Sequence, residues 1–88
     1  MITDTQRKYY YYLKGMTGWF DTNLFDLIKS ADSVNIEKLR LGFPDEVETY
    51  EQFKSNELTI TDIEKELELE IVRFKVLMYK QEDENASN

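Results

Sequence analysis

The sequence predicts an all-α fold, a small bundle of four or five helices with a long C-terminal helix and a disordered acidic tail. The chain has 88 residues, of which only three are glycine and one is proline, so it offers few of the tight turns that a hairpin-rich sheet needs. Apolar residues recur at spacings of three and four in several segments, which is typical of helices. This length suits one domain with one core, predicted over residues 1–80, followed by a polar tail at residues 81–88.

The first two helices are bounded by residues that favour helix ends. Thr3 or Thr5 can cap the first helix, because either hydroxyl can accept a hydrogen bond from an unpaired backbone N–H. Gly15 can end it, since glycine tolerates positive φ. The second helix is predicted over residues 19–31, and its inward face is predicted to hold Phe20, Leu24, Leu27, Ile28 and Ala31.

Two shorter helices are predicted on either side of Gly42. Asp32 or Ser33 caps the third helix, and Gly42 ends it. Pro44 begins the fourth, because proline is tolerated in a first turn whose N–H groups are unpaired anyway. The third helix holds Val34, Ile36, Leu39 and Arg40, and the fourth extends to Phe53 and turns Val47, Tyr50 and Phe53 inward.

The fifth helix is predicted to be the longest. Its N-cap is either Thr59, with a hydrophobic staple between Leu58 and Ile63, or Thr61 in a capping box with Glu64. One apolar stripe extends along it for about 20 residues. This first stripe consists of Ile60, Ile63, Leu67, Ile71, Phe74 and Met78.

A second stripe begins later on nearly the opposite side of the same helix and consists of Leu69, Val72, Val76 and Tyr79. It indicates either a helix buried centrally in its own domain or the seam of a homodimer, since small helical domains often need an additional surface to bury. Residues 67–79 also alternate in a way that suits a strand, but the glutamates before them favour a helix.

The composition argues against catalysis. His and Cys are both absent, which excludes disulfides, thiol chemistry, His-based acid–base catalysis and zinc sites built on these residues. There is no glycine-rich phosphate loop, and the alternating acids of residues 62–68 lack the glycine of a calcium loop. We therefore predict no enzyme activity, no cofactor and no metal. The absence of a long apolar run or an apolar signal core predicts a cytoplasmic protein that does not enter membranes.

The net charge of −7 is concentrated in one segment. Residues 1–44 carry +1, residues 45–70 carry −8 and residues 71–88 are neutral overall. If the fourth and fifth helices were neighbours, their acids would form one negative face that either keeps the chain soluble or complements a basic, nucleic-acid-binding groove as a DNA mimic. The candidate partner-binding acids are Glu46, Glu48, Glu51, Glu64, Glu66, Glu68 and Glu70.

The tyrosine run at residues 9–12 cannot be buried entirely, because four consecutive helical residues point in all directions. Tyr10 and Tyr11 are expected to stay partly exposed and to contribute contacts to a partner. Arg7 and Lys8 lie nearby, which makes this helix the one basic and aromatic patch suited to stacking single-stranded nucleic acid. The negative net charge disfavours direct nucleic-acid binding.

Residues 19–50 carry a combination of apolar positions and a Gly-Phe-Pro-x-Glu-Val core. The matching residues are Trp19, Phe20, Leu24, Phe25, Ala31, Asp32, Asn35, Leu39, Gly42, Phe43, Pro44, Glu46, Val47 and Tyr50. The segment resembles a group of small proteins encoded in early regions of phages and prophages of Gram-positive bacteria. The resemblance implies a stoichiometric binder that blocks or redirects a host enzyme, and it implies no site residues.

Together these features favour a non-catalytic, phage-type interaction protein. Its acidic helical face would bind the basic surface of a host nucleic-acid-handling or defence protein, such as a CRISPR effector, in the host cytoplasm. One alternative is an oligomeric structural or adaptor protein that assembles through the second stripe. Another is a single-stranded nucleic-acid binder that uses Tyr10 and Tyr11.

Overall fold

The computed structural model describes the backbone of residues 2–86 and the side chains of residues 2–78. Within that part of the chain there are five helices and no strand, which confirms the all-α prediction and the helix over residues 67–78. Of the predicted tail, residues 81–86 continue the last helix, whereas residues 87 and 88 and all side chains from Tyr79 onward lie outside the described residues. The helices are α1 (Asp4–Leu13), α2 (Trp19–Ser30), α3 (Ser33–Gly42), α4 (Pro44–Lys54) and α5 (Ile60–Ala86).

Local capping explains where α1 and α3 begin. The Thr3 hydroxyl accepts from the backbone N–H of Gln6 at 3.0 Å, and the Gln6 side chain accepts from the backbone N–H of Thr3 at 2.9 Å. Asp32 Oδ1 caps α3 by accepting from the backbone N–H of Val34 at 3.1 Å and of Asn35 at 2.7 Å. These contacts confirm the predicted N-caps at Thr3 and Asp32.

The boundaries of α4 and α5 also follow from short-range chemistry. Pro44 is the first residue of α4, as predicted. Of the two candidate caps for α5, Thr59 is confirmed: its hydroxyl accepts from the backbone N–H of Asp62 at 3.2 Å, and the Asp62 carboxylate accepts from the backbone N–H of Thr59 at 3.0 Å. Asn56, with φ of 61°, provides the left-handed turn that follows α4.

The core lies where α1, α2 and α4 meet. Its buried side chains are Tyr9, Leu24, Phe25, Ile28 and Val47, with Tyr12, Ile36, Leu39, Phe43, Tyr50 and Phe53 packed around them. The Tyr9 ring lies between two phenylalanines, with centroids 5.0 Å from Phe25 and 4.6 Å from Phe53. Tyr9 therefore joins α2 to α4 through aromatic contacts.

The predicted inward face of α2 is partly wrong. Phe20 and Leu27 are 59% and 53% exposed, whereas Phe25, which was not assigned to that face, is 1% exposed. The physical reason is the aromatic surface of α1: the rings of Tyr9 and Tyr12 both contact Phe25, so that α2 turns this residue toward the core.

The bundle is organised around α4 and not around the long C-terminal helix. α4 packs against α1, α2 and α3, whereas α5 packs against α1. Ile63 is the one described residue of α5 that is fully buried, and Arg7 of α1 binds Glu70. With 27 residues α5 is about 40 Å long, so much of it extends beyond α1.

Candidate interaction surfaces

The most unusual surface is the apolar segment of α5, defined here as residues 69–78. Every described side chain from Ile71 to Met78 is exposed. A helix that is apolar on both sides is normally buried, because exposed apolar area is unfavourable in water. The large hydrophobic side chains of this segment are each between 46% and 63% exposed: Leu69, Ile71, Val72, Phe74, Val76, Leu77 and Met78.

This exposure excludes one of the two explanations of the second stripe. Leu69, Val72 and Val76 are 47%, 55% and 51% exposed, so burial of this stripe within its own domain is wrong. The same holds for the far end of the first stripe, where Phe74 is 63% exposed although Ile63 is fully buried. The reason is that α1 ends at Leu13 and covers only the beginning of α5. Use of the second stripe as an oligomer seam stays a prediction.

The predicted acidic residues of α4 and α5 are not brought together as one face. α1 lies between the two helices: the Gln6 side-chain amide donates to Gln52 Oε1 of α4 at 3.2 Å, and the next residue, Arg7, reaches Glu70 of α5. The premise of one acidic face across α4 and α5 is therefore wrong, because these helices do not pack side by side.

Two of the candidate acids are held by arginines. Both Glu51 carboxylate oxygens accept from Arg40, at 2.6 and 2.9 Å, and Arg40 Nε also donates to Glu37 at 3.1 Å. The hydrogen bonds from Arg40 lower the pKa of Glu51. Glu70 is held by Arg7, with distances of 3.0 and 2.9 Å from Nη2 to its two oxygens. These contacts join helices to each other and reduce the charge available to a partner.

The other candidate acids divide by exposure. Glu48, Glu64 and Glu68 are exposed and form no ion pair with any described residue, whereas Glu46 and Glu66 are half-buried. Glu64 and Glu68 are one turn apart on α5 and so present two carboxylates on one side of the helix. This pair is the strongest remaining source of negative field on α5.

An open groove of about 830 Å³ lies along α3 and α4, with an apolar floor that includes Ile36 and Tyr50 and a charged rim that includes Glu48, Glu51 and Lys54. Glu51 already forms an ion pair with Arg40. Among the described residues, no three acidic side chains converge on a point where they could hold a metal ion.

Tyr10 and Tyr11 are half-buried, in agreement with the prediction that they stay partly exposed. Their ring centroids are 5.6 Å apart, and Lys14 Nζ lies 5.6 Å from the Tyr10 centroid. Arg7, the nearby base that was expected to support nucleic-acid binding, is bound to Glu70 instead. The basic part of this patch is therefore weaker than the sequence predicts.

Tyr12 turns toward α2, where its hydroxyl donates to Asp26 Oδ1. Burial, followed by the hydrogen bond to Asp26, raises the pKa of Tyr12 to about 12. Burial also raises the pKa of Tyr9. The tyrosine run is thus divided: Tyr9 and Tyr12 serve the core, and Tyr10 and Tyr11 face outward.

Sequence reasoning missed a second exposed apolar surface at the connection between α1 and α2. Met16 is 70% exposed and Trp19 is 81% exposed, next to Phe20 at 59%. Met16 precedes Gly18, whereas Trp19 and Phe20 begin α2. Helical spacing predicted that Phe20 faces inward, and it gave no signal for Met16 or Trp19. The size of Trp19, at the start of α2, is the sequence feature that could have drawn attention to this surface.

None of the helices in the described part of the chain is long and apolar enough to cross a membrane. No protein-family model, curated protein or solved structure matches the chain. The resemblance of residues 19–50 to phage early-region proteins stays a prediction.

Proposed function

We propose that the chain is a non-catalytic interaction protein that assembles through the apolar segment of α5. The observation that carries this proposal is the exposure of all described side chains of residues 71–78, most of which are large hydrophobics. Exposed, contiguous apolar surface on a soluble domain marks a place where another surface binds. A helix lying against a partner surface is also a common recognition mode.

Two further features support an assembly function. The small core at α1, α2 and α4 holds no described residue of α5, whose contacts with α1 include the ion pair between Arg7 and Glu70. Association would bury apolar area that the domain alone leaves in water. The same function needs no reacting group, in keeping with a chain that has no His and no Cys.

Light scattering coupled to size-exclusion chromatography tests this proposal. Wild-type protein should elute as an oligomer, and Val72→Glu should elute as a monomer. The reason is that assembly would bury a carboxylate at the middle of the second stripe with no hydrogen bond or opposite charge to compensate it. The matched control is Val34→Glu on α3, which changes a valine that is 64% exposed elsewhere. A monomeric wild-type protein at high concentration would refute self-assembly.

A second candidate function is binding to a basic surface, such as that of a phage host's nucleic-acid-handling or defence protein. It is supported by the exposed carboxylates of Glu64 and Glu68, which are unpaired among the described residues. Such a field accelerates encounter with a positively charged groove and is screened by salt. The relevant charge would come from α5 alone, because the acids of α4 lie elsewhere.

The second candidate is tested by capture of proteins from a bacterial lysate at low and high salt. Glu64→Lys should abolish capture of a salt-sensitive, nucleic-acid-binding protein. Glu57→Lys makes the same change of charge on the connection before α5 and should leave capture intact. Equal capture by wild-type protein and Glu64→Lys would exclude the electrostatic mechanism.

A further inference from the structure

The side of α5 that faces away from α1 has the pattern of a coiled-coil seam. Ile63 and Glu70 mark the side that contacts α1, through burial and through the bond to Arg7. Successive residues of a helix are rotated by about 100°, so the residues on the opposite side can be identified from the sequence. They recur at alternating spacings of three and four, which is the spacing of the a and d positions of a heptad. These residues, all exposed, are Asp62, Lys65, Leu69, Val72 and Val76.

The charge along α5 reverses at the start of the apolar segment. Residues 62–70 contain five acids and one base, whereas residues 71–80 contain three bases and no acid. A second α5 in the same direction and register would place like charge beside like charge at the polar seam positions 62 and 65. A second α5 in the opposite direction would place the acidic residues 62–70 of each helix beside residues 71–80 of the other, which contain only bases among their charged residues.

We propose that the partner on this face is a second copy of the chain, with the two α5 helices antiparallel and Leu69 of one beside Val72 of the other. The inference rests on the proposed function, assembly through α5, and adds the identity of the partner and its direction. A two-fold axis relates the copies, so each contact occurs twice.

In this register the two helices match apolar with apolar residues at the centre of the seam and acidic with basic residues at its flank. Leu69 and Val72 from both copies form the central apolar layers. Val76 lies beside Lys65 of the other copy, whose aliphatic stem can cover it while the ammonium group reaches water. Glu68 and Lys75 occupy g positions, which meet across an antiparallel pair and here carry opposite charges.

A parallel pair in register is less favourable for reasons that the sequence makes explicit. It would place Asp62 against Asp62 and Lys65 against Lys65 in the seam. At the flank it would place Glu68 of one copy beside Arg73 of the other, because g positions meet e positions five residues later, and this is a favourable contact of the parallel pair. The antiparallel register avoids both like-charge contacts of the seam and pairs Glu68 with Lys75 at its flank.

Disulfide trapping tests the direction, and the chain is well suited to it because it contains no cysteine. The antiparallel register brings residue 65 of one copy beside residue 76 of the other. Lys65→Cys with Val76→Cys should give a covalent dimer on mild oxidation, whereas Val76→Cys alone should not. Within one helix the two cysteines are about 16 Å apart, too far for an internal disulfide.

Charge exchange provides an independent measurement. Lys75→Glu should weaken dimerisation by about tenfold, because it opposes two glutamates at two symmetric contacts, and adding Glu68→Lys should restore most of the loss. In a parallel pair residues 68 and 75 do not meet, so Glu68→Lys would not restore what Lys75→Glu loses. Phe74→Glu is the matched control on the opposite side of α5 and should leave the dimer intact.

The outcomes are distinct. Trapping of the double cysteine variant alone, together with a weaker Lys75→Glu dimer, supports the inference. Trapping of Val76→Cys alone, or dissociation by Phe74→Glu in place of Val72→Glu, overturns the antiparallel seam and leaves assembly through α5 standing. A wild-type monomer throughout the concentration range overturns both.

Discussion

Arg7 and Glu70, 63 positions apart, connect the first and last helices of the protein. Nη2 of Arg7 donates to both Glu70 oxygens, at 3.0 and 2.9 Å, and the two side chains are 38% and 32% exposed. Nε of the same guanidinium is buried without a hydrogen-bond partner among the described residues. The contact therefore combines an ion pair between helices with one unsatisfied donor, which limits its net contribution to stability.

Removal of this ion pair should loosen α5 without unfolding the core. We expect Glu70→Gln to lower the free energy of unfolding by about 1 kcal/mol, the order expected for a partly exposed, charge-assisted pair. Urea denaturation of Glu70→Gln, Arg7→Met and the double variant measures the coupling energy. Strictly additive single effects would show that the two side chains do not stabilise each other.

The two phenylalanines of α2 should differ sharply in their effect on stability. Phe25 is 1% exposed, so Phe25→Ala should cost about 3–5 kcal/mol through lost burial and a cavity. Phe20 is 59% exposed, so Phe20→Ala should cost less than about 1 kcal/mol. Thermal or urea unfolding of Phe25→Ala and Phe20→Ala measures both losses of stability. Equal losses would contradict the observed orientation of α2.

This contrast also shows how far the sequence predicts the fold. Helix ends were predictable because a cap is a contact between residues two or three positions apart, as with Thr3 and Asp32. The orientation of α2 was not, because α2 carries apolar residues on more than one side, and the rings of α1 decide which side is buried.

The candidate surfaces divide in the same way. The second stripe of α5 was visible in the sequence because it lies within one helix. The acidic face was wrongly predicted to span α4 and α5. Which helices are adjacent depends on tertiary packing, which the sequence pattern of a single helix does not contain. A charge count along the chain contains no information that Arg40 and Arg7 bind Glu51 and Glu70.

Tyr12 should lose its phenol proton at a higher pH than an ordinary tyrosine. Its ordinary pKa of 10.0 is raised to about 12, so the folded state retains the phenol proton over an interval in which the unfolded state loses it. The stability that Tyr12 contributes is complete below its ordinary pKa and is lost as the pH rises through the folded-state value. Absorbance of the phenolate during an alkaline titration measures this pKa.

Two variants test whether Tyr12 is the phenol that titrates at high pH. Tyr12→Phe should remove one late-titrating phenol. Asp26→Asn should lower the pKa of Tyr12 only in part, because burial is the larger cause of its rise. A high-pH phase that Tyr12→Phe leaves unchanged would contradict the raised pKa of Tyr12 and would assign that phase to another phenol, such as that of Tyr9.

The contact between Arg40 and Glu51 should make stability sensitive to acid. Hydrogen bonds from Arg40 hold the pKa of Glu51 below its ordinary value of 4.5. The contribution is therefore present above that value and is lost as the pH falls through the lowered pKa. Glu51→Gln should cost at most about 1 kcal/mol near pH 7, since the pair is exposed to solvent.

Thermal unfolding across pH measures the effect of Glu51. The difference between wild-type protein and Glu51→Gln should shrink toward strongly acidic pH, where both residues at position 51 are neutral. Glu57→Gln, an exposed change outside any ion pair in the described part of the chain, is the control. A difference that persists unchanged in acid would show that the loss does not come from the charge of Glu51.

Hydrogen–deuterium exchange of α5 as a function of protein concentration tests whether a second copy of the chain covers the apolar segment. If a second copy covers the apolar segment, amides of residues 69–78 should exchange more slowly as the concentration rises, because association suppresses opening of the helix. Core amides near Ile28 should change less and serve as the internal reference. Exchange of residues 69–78 that is equally fast at every concentration would contradict self-assembly through α5.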